Sequence, residues 1–175
     1  MNLAPLANDV FGILSIVGQL MVVVIAYGLI TKNKKILGFF SKKVLLFGFG
    51  TALICMLGSL LYSDVIGYEP CKLCWYQRIL MYPQALLFGI ALWKKDKKIV
   101  DYAMALSGVG AVIALYHHLM QLGFVPEGDC SAVGYSVSCA KVFVLHFGYL
   151  TIPLMAFTGF LMIFFFGLAY KASKK

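Results

Sequence analysis

The chain has 175 residues, 62% of them hydrophobic and only 13% charged, with a mean hydropathy of +0.90. Soluble domains are nearer ~45–50% apolar and ~25% charged, and one of this length could not bury so much apolar surface. The composition predicts an all-α integral membrane protein with about five spans of ~20 residues and no separate soluble domain. The formal charge of +8 could suggest nucleic acid. Its distribution argues against that, because most of the 15 Lys and Arg fall in three short stretches between or after apolar runs. These are Lys32 to Lys43, Lys94 to Lys98 and Lys171 to Lys175, where the positive-inside rule places inner loops.

Residues 1–9 carry no positive charge, and Val10 to Ile30 is apolar throughout apart from Ser15 and Gln19. No basic leader or small-x-small cleavage site is visible, so this run predicts a first transmembrane helix with its N-terminus outside. Thr31 to Lys43 follows as an inner loop whose Ile36 to Phe40 is expected on the membrane surface. Val44 to Tyr62 is the second span, and Ser63 to Pro70, with turn-forming Gly67 and Pro70, is a short outer loop. The third span is expected from Trp75 to Trp93, with Pro83 inside it. Lys94 to Lys98 is an inner turn and Ile99 to Met120 the fourth span. Gln121 to Lys141 is a second outer loop, and Val142 to Ala169 the fifth span, interrupted by Pro153.

With five spans, both cysteine-bearing loops fall on the outer side: Cys71 and Cys74 in one, Cys130 and Cys139 in the other. Disulfides persist in oxidising compartments, so cysteine placement and lysine bias agree. Cys55 lies mid-span and reads as a small apolar filler.

Cys71-Lys72-Leu73-Cys74 is a C-x-x-C pair at the mouth of a helix. A helix opening at Cys74 holds the thiols at its positive N-terminal end, which lowers thiol pKa. A c-type haem site would need His after Cys74, where Trp75 stands. A four-cysteine zinc site usually repeats the C-x-x-C spacing, whereas eight residues separate Cys130 from Cys139. A purely structural bond within one turn would gain little loop-closure entropy. A redox pair competes with a non-catalytic module whose outer cysteines are structural bonds or bind metal. Two pairs facing one compartment also permit a relay by thiol–disulfide exchange.

The run Cys71-Lys72-Leu73-Cys74-Trp75-Tyr76-Gln77-Arg78, followed by a helix, an inner turn, another helix and an outer cysteine pair, resembles the DsbB-type disulfide-bond formation proteins. It looks closest to the Bacillus-like BdbC branch. The resemblance covers roughly Val44 to Phe166. It implies a four-helix transmembrane redox bundle over residues 44–175, with residues 1–43 adding an extra helix and inner loop. It implies an enzyme of the bacterial cell membrane that reoxidises a DsbA-like thioredoxin-fold thiol oxidase outside and passes electrons to a quinone, ubiquinone or menaquinone. By that resemblance the Cys130–Cys139 disulfide takes electrons from the partner, through a mixed disulfide at Cys130. Cys71–Cys74 then reoxidises that pair, with Cys74 meeting the quinone. Vitamin K epoxide reductase-type proteins put the two pairs in the reverse order.

Arg78 lies one helical turn beyond Cys74, just inside the third span. Arginine there is costly and marks a functional site unless it snorkels to headgroups. The matching Arg of the family is associated with the quinone site. The run Tyr116-His117-His118 resembles the family's Tyr-x-His, which picks out His118 as a quinone-proximal donor. His117 and His146 read as interfacial, and Trp75, Tyr76 and Trp93 as an aromatic belt. No metal ligand set is assigned, and neither is a nucleic-acid partner.

Overall fold

The computed structural model describes residues 3–127 and 137–174. Its elements are α1 (Ala4–Ile30), α2 (Lys34–Lys42), α3 (Val44–Leu60), α4 (Lys72–Lys94), α5 (Ile99–Gln121) and α6 (Ile152–Lys174). A π-helical turn, Leu61–Val65, extends α3. α1, α3 with its extension, α5 and α6 are each long and apolar enough to cross a bilayer. α4 has the same 23-residue length as α5 and α6, but Gln77, Arg78 and Gln84 interrupt its apolar character. It packs against α3 and α5, and contacts of α6 with α5 and α3 close a four-helix bundle. α1 lies outside that bundle along α6. The protein is an all-α, multi-pass membrane bundle of four helices with one extra N-terminal helix.

Small residues let these helices approach closely, as dispersion packing in a membrane requires. A side chain begun at Gly48 would meet the Phe88 ring at 2.6 Å, and one at Gly110 would run into Phe160. Phe88 and Phe160 are fully buried in one core with Met81, Ile163 and Phe166.

The lysine-rich end is closed by α2. Asn33 caps it by accepting from the Lys35 and Ile36 backbone N–H groups. The expected surface segment Ile36 to Phe40 turns its apolar side to the bundle: Leu37 and Phe40 are buried, and Phe40 stacks on Phe166 with ring centroids 5.8 Å apart. Lys34, Lys35 and Lys42 stay exposed.

Two boundaries differ from expectation. α4 begins three residues before Trp75, because Cys71 is its N-cap. α6 begins at Ile152, not at Val142, so Pro153 sits in its first turn and interrupts nothing. Proline is tolerated there because the first-turn N–H has no intrahelical acceptor. The preceding residues form a tight turn instead, with His146 and Leu150 exchanging backbone hydrogen bonds at 2.9 Å. Phe147 (φ 52°) and Gly148 (φ 79°) take left-handed conformations within it.

Candidate functional site

Cys71 is extended (φ −75°, ψ 173°) and caps α4, its sulfur accepting from the Cys74 backbone N–H at 3.4 Å. The dipole end expected at Cys74 therefore falls on Cys71, one turn earlier. Both residues carry free thiols, and their sulfurs lie 3.1 Å apart in a hydrogen bond. That bond is the largest influence holding the Cys71 thiol well below the ordinary thiol range. Burial opposes it, while the hydrogen bond from His117, the positive charge of that ring when protonated and the Cys74 N–H all add to it. The arrangement makes Cys71 the thiolate of the pair.

His117 was expected at the interface, yet it is 1% exposed and reaches the cysteines. Its Nε2 lies 3.0 Å from the Cys139 carbonyl oxygen and 3.6 Å from Cys71 Sγ. Its Nδ1 lies 3.0 Å from the Gln77 side-chain nitrogen. A carbonyl only accepts, so Nε2 carries hydrogen, and an amide NH₂ only donates, so Nδ1 accepts. Gln77, 7% exposed, thus orients the imidazole so that its N–H faces Cys71 Sγ and the Cys139 carbonyl.

Cys139 is fully buried and disulfide-bonded, and it packs in one cluster with Cys71, Met120 and Cys74. Its backbone is held from both sides: His117 donates to its carbonyl, and its N–H donates to Glu127 at 2.9 Å. The Ser138 hydroxyl donates to the other Glu127 oxygen at 2.8 Å. Cys130 lies outside the described residues, and with it the expected Cys130–Cys139 pairing.

Arg78 is half-buried and tethered inward. Its Nε donates to Ser59 Oγ at 3.0 Å and Nη2 to the Ser59 carbonyl at 3.3 Å. The guanidinium lies over the Trp75 ring at 5.1 Å and near the Tyr82 ring at 5.9 Å. Two of its five N–H groups are used in these bonds, so others remain to meet a ligand. Arg78 and Cys74 line a cavity of about 420 Å³ between α1, α3, α4 and α6, otherwise largely apolar. That volume is within the ~300–1,000 Å³ typical of small-molecule sites. His117 also lines it; His118 does not.

His118 bonds elsewhere, its Nδ1 2.8 Å from the Thr151 hydroxyl, which in turn accepts from the Leu154 backbone N–H at 3.4 Å. It ties α5 to the start of α6. Cys55 lines the cavity mid-membrane and packs against Gly159, consistent with a filler. Cys71, Cys74, Cys139 and Arg78 are therefore gathered at one end of the bundle. Gln77, His117 and Glu127 are the contributors sequence reasoning missed.

The family model described as disulfide bond formation protein DsbB matches residues 41–170. The chain is 43% identical over 119 residues to the probable disulfide formation protein C of Bacillus cereus, covering 68% of this chain and 85% of that one. It is 40% identical over 125 residues to the disulfide bond formation protein C of Bacillus subtilis, covering 70% and 88%. A probable disulfide formation protein of Oceanobacillus iheyensis is 43% identical over 113 residues, covering 65% and 78%. No solved structure matches.

Proposed function

The chain belongs to the DsbB family of disulfide bond formation proteins, and on that premise we propose that it is a quinone-dependent thiol oxidase that recharges an extracytoplasmic, DsbA-like thioredoxin-fold partner. Membership itself makes it a membrane oxidoreductase of disulfide-bond formation. The observation that carries the finer reading is the junction at Cys74. A hydrogen-bonded thiol pair opens there onto an apolar cavity beside an arginine with unused donors, while the disulfide-bonded Cys139 packs against Cys71.

Residues 44–175 form the redox unit, and residues 1–43 are an addition to it. Both cysteine loops face outward across the cell membrane. The lysines at the opposite end support this, as does a disulfide at Cys139.

A partner thiolate attacks the Cys130–Cys139 disulfide at Cys130, and Cys139 leaves as thiolate. The partner's second thiolate then breaks the mixed disulfide and departs oxidised, leaving both loop cysteines reduced. Cys139, packed on Cys71, attacks the Cys71–Cys74 disulfide at Cys71 and expels Cys74 as thiolate. Cys130 resolves that bond, which restores the outer disulfide and leaves Cys71 and Cys74 as the dithiol.

The donor set and cavity fit a quinone, which supplies an acceptor for two electrons and two protons. Arg78, fixed by Ser59 and the two rings, presents N–H groups where negative charge develops on an oxygen. His117 holds Cys71 as thiolate and anchors Cys139 beside it. The walls of the cavity are largely apolar.

Cys71, Cys74 and His117 also place three donor atoms within 4.8 Å of one another, which favours a metal site as the competing reading. Two thiolates on zinc, at ~2.3 Å from the ion in a tetrahedral site, stand about 3.8 Å apart. The sulfurs here are 3.1 Å apart, closer than that.

The test is a Cys139→Ser variant mixed with the oxidised partner. The Cys130 thiolate attacks the partner's disulfide and expels one partner thiolate, and the mixed disulfide through Cys130 is expected to accumulate because Cys139 is not there to resolve it. Wild-type turnover by that variant with no adduct would remove Cys130 and Cys139 from these roles.

A further inference from the structure

α1 lies outside the residues matched by the family model, which begin at position 41, yet it is not a bystander. It packs along α6 and is latched by polar contacts. The Gln19 amide donates to Thr158 Oγ1 at 3.4 Å, and the Tyr149 hydroxyl donates to Gln19 Oε1 at 3.3 Å. The Tyr62 hydroxyl donates to Asn8 Oδ1 at 3.0 Å. Against α3 the relation differs. The Phe11 ring sits over Gly58, where an added Cβ would meet it at 2.8 Å. Below that contact the two helices are separated by the cavity, lined on one side by Ser15, Gly18 and Met21 and on the other by Thr51, Cys55 and Leu46.

The cavity is therefore a channel and not a bowl. It follows α3 from Leu46 to Ser59, a rise of about 20 Å at ~1.5 Å per residue. Cys74 and Arg78 line it toward its outer end, which Glu69, Gln121 and Lys141 also border, and its inner reaches are largely hydrocarbon. Its elongated, largely apolar inner part suits a hydrocarbon chain. The lining positions 11, 15, 18 and 21 recur at helical spacing, so a single face of α1 supplies them.

We propose that α1 forms one wall of the quinone channel and that its Phe11–Ser15–Gly18–Met21 face holds the isoprenoid tail. This inference rests on the quinone reading above and adds a tail subsite built from a helix outside the family match. The ring is held by the bundle at Cys74 and Arg78. Discrimination among quinones by tail falls to α1.

Binding is measured directly, by quenching of Trp75 fluorescence in lipid vesicles with a Trp93→Phe background, so that the one remaining tryptophan reports. The probes are a tetraprenyl naphthoquinone and the tail-less dimethylnaphthoquinone, expressed as mole fractions of lipid. Ser15→Leu fills the channel from the α1 side. It is expected to weaken the prenylated quinone at least tenfold and the tail-less one no more than twofold. Ile13→Phe, on the exposed face of α1, is expected to change neither. Equal weakening of both probes by Ser15→Leu marks a general packing effect and overturns the inference, as does no change in either. If the parent protein binds neither probe, the quinone reading itself fails. If it binds both and Ser15→Leu does not separate them, only the role of α1 falls.

Discussion

Replacing His117 by alanine removes one of the hydrogen bonds that hold Cys71 as a thiolate. Hydrogen bonds to charged groups contribute ~1.5–3 kcal/mol. At 3.6 Å from sulfur, and shared with the Cys139 carbonyl, this one belongs at or just under the lower end, about 1.4 kcal/mol. One pKa unit corresponds to ~1.36 kcal/mol, so the Cys71 thiol should rise by about one unit. The sign follows from the lowered native value. Thiolate stabilisation of the reduced, folded protein is complete above the unfolded thiol range and is lost as pH falls through the native value. The same energy favours the dithiol over the disulfide, so His117→Ala should make the Cys71–Cys74 potential about 30 mV more negative at neutral pH. Thiolate ultraviolet absorbance against pH, on protein with Cys55 replaced, reads the first quantity without needing reagent access to a buried sulfur. Equilibration with a dithiol buffer reads the second. Gln77→Ala should move both in the same direction by a smaller amount, since it disturbs only the ring's orientation. An unchanged titration and potential in His117→Ala would refute the assignment of this ring to Cys71.

Arg78→Ala should raise the apparent quinone KM by ~10- to 150-fold, the loss of one charge-assisted hydrogen bond, while exchange between the cysteine pairs continues. Stopped-flow kinetics with quinone varied checks it, and unchanged KM would take Arg78 out of the site. Glu127→Ala strips the acceptor from both the Cys139 N–H and the Ser138 hydroxyl. Reduction of the Cys139 disulfide by a small dithiol should then speed up several-fold, and an unaltered rate would show that this clamp does not guard the bond. Gly48→Ala forces a Cβ toward the buried Phe88 ring at 2.6 Å. Overpacking of this kind costs ~1–3 kcal/mol, so the midpoint of thermal unfolding in detergent should fall by several degrees, and an unchanged midpoint would mean the helices separate freely.

Much of the architecture is legible in the sequence because membrane constraints are simple. Apolar runs near the thickness of the bilayer and lysines gathered at one end suffice for spans and loops. α4 is visible only through its boundaries, since Gln77, Arg78 and Gln84 dilute its hydropathy, and those polar residues are the ones that face the site and core. The sequence places the start of the fifth span too early because Val142 to Leu150 is apolar enough to pass for helix, and only the tight turn at Phe147 and Gly148 shows otherwise. The closeness of Cys71, Cys74 and Arg78 is legible from spacing, since they lie within two turns of one helix. The choice between His117 and His118 is not. Adjacent residues on a helix point about 100° apart, and which one faces the cysteines depends on how α5 is rotated against α4, a tertiary fact. Gln77 has the same cause: as a side chain on the buried face of α4 it is unremarkable until the imidazole opposite is known. Glu127 meets Cys139 across a loop whose path no periodicity describes.

The most direct test of the account is oxidation of a reduced thioredoxin-fold partner by the purified protein in nanodiscs, with and without added quinone. The account predicts catalytic turnover that requires quinone, with one quinone reduced per partner disulfide formed, and none in Cys74→Ser. Sustained turnover without quinone, or quinone reduction that persists in Cys74→Ser, would contradict a path that runs from protein thiols through Cys71 and Cys74 into the membrane.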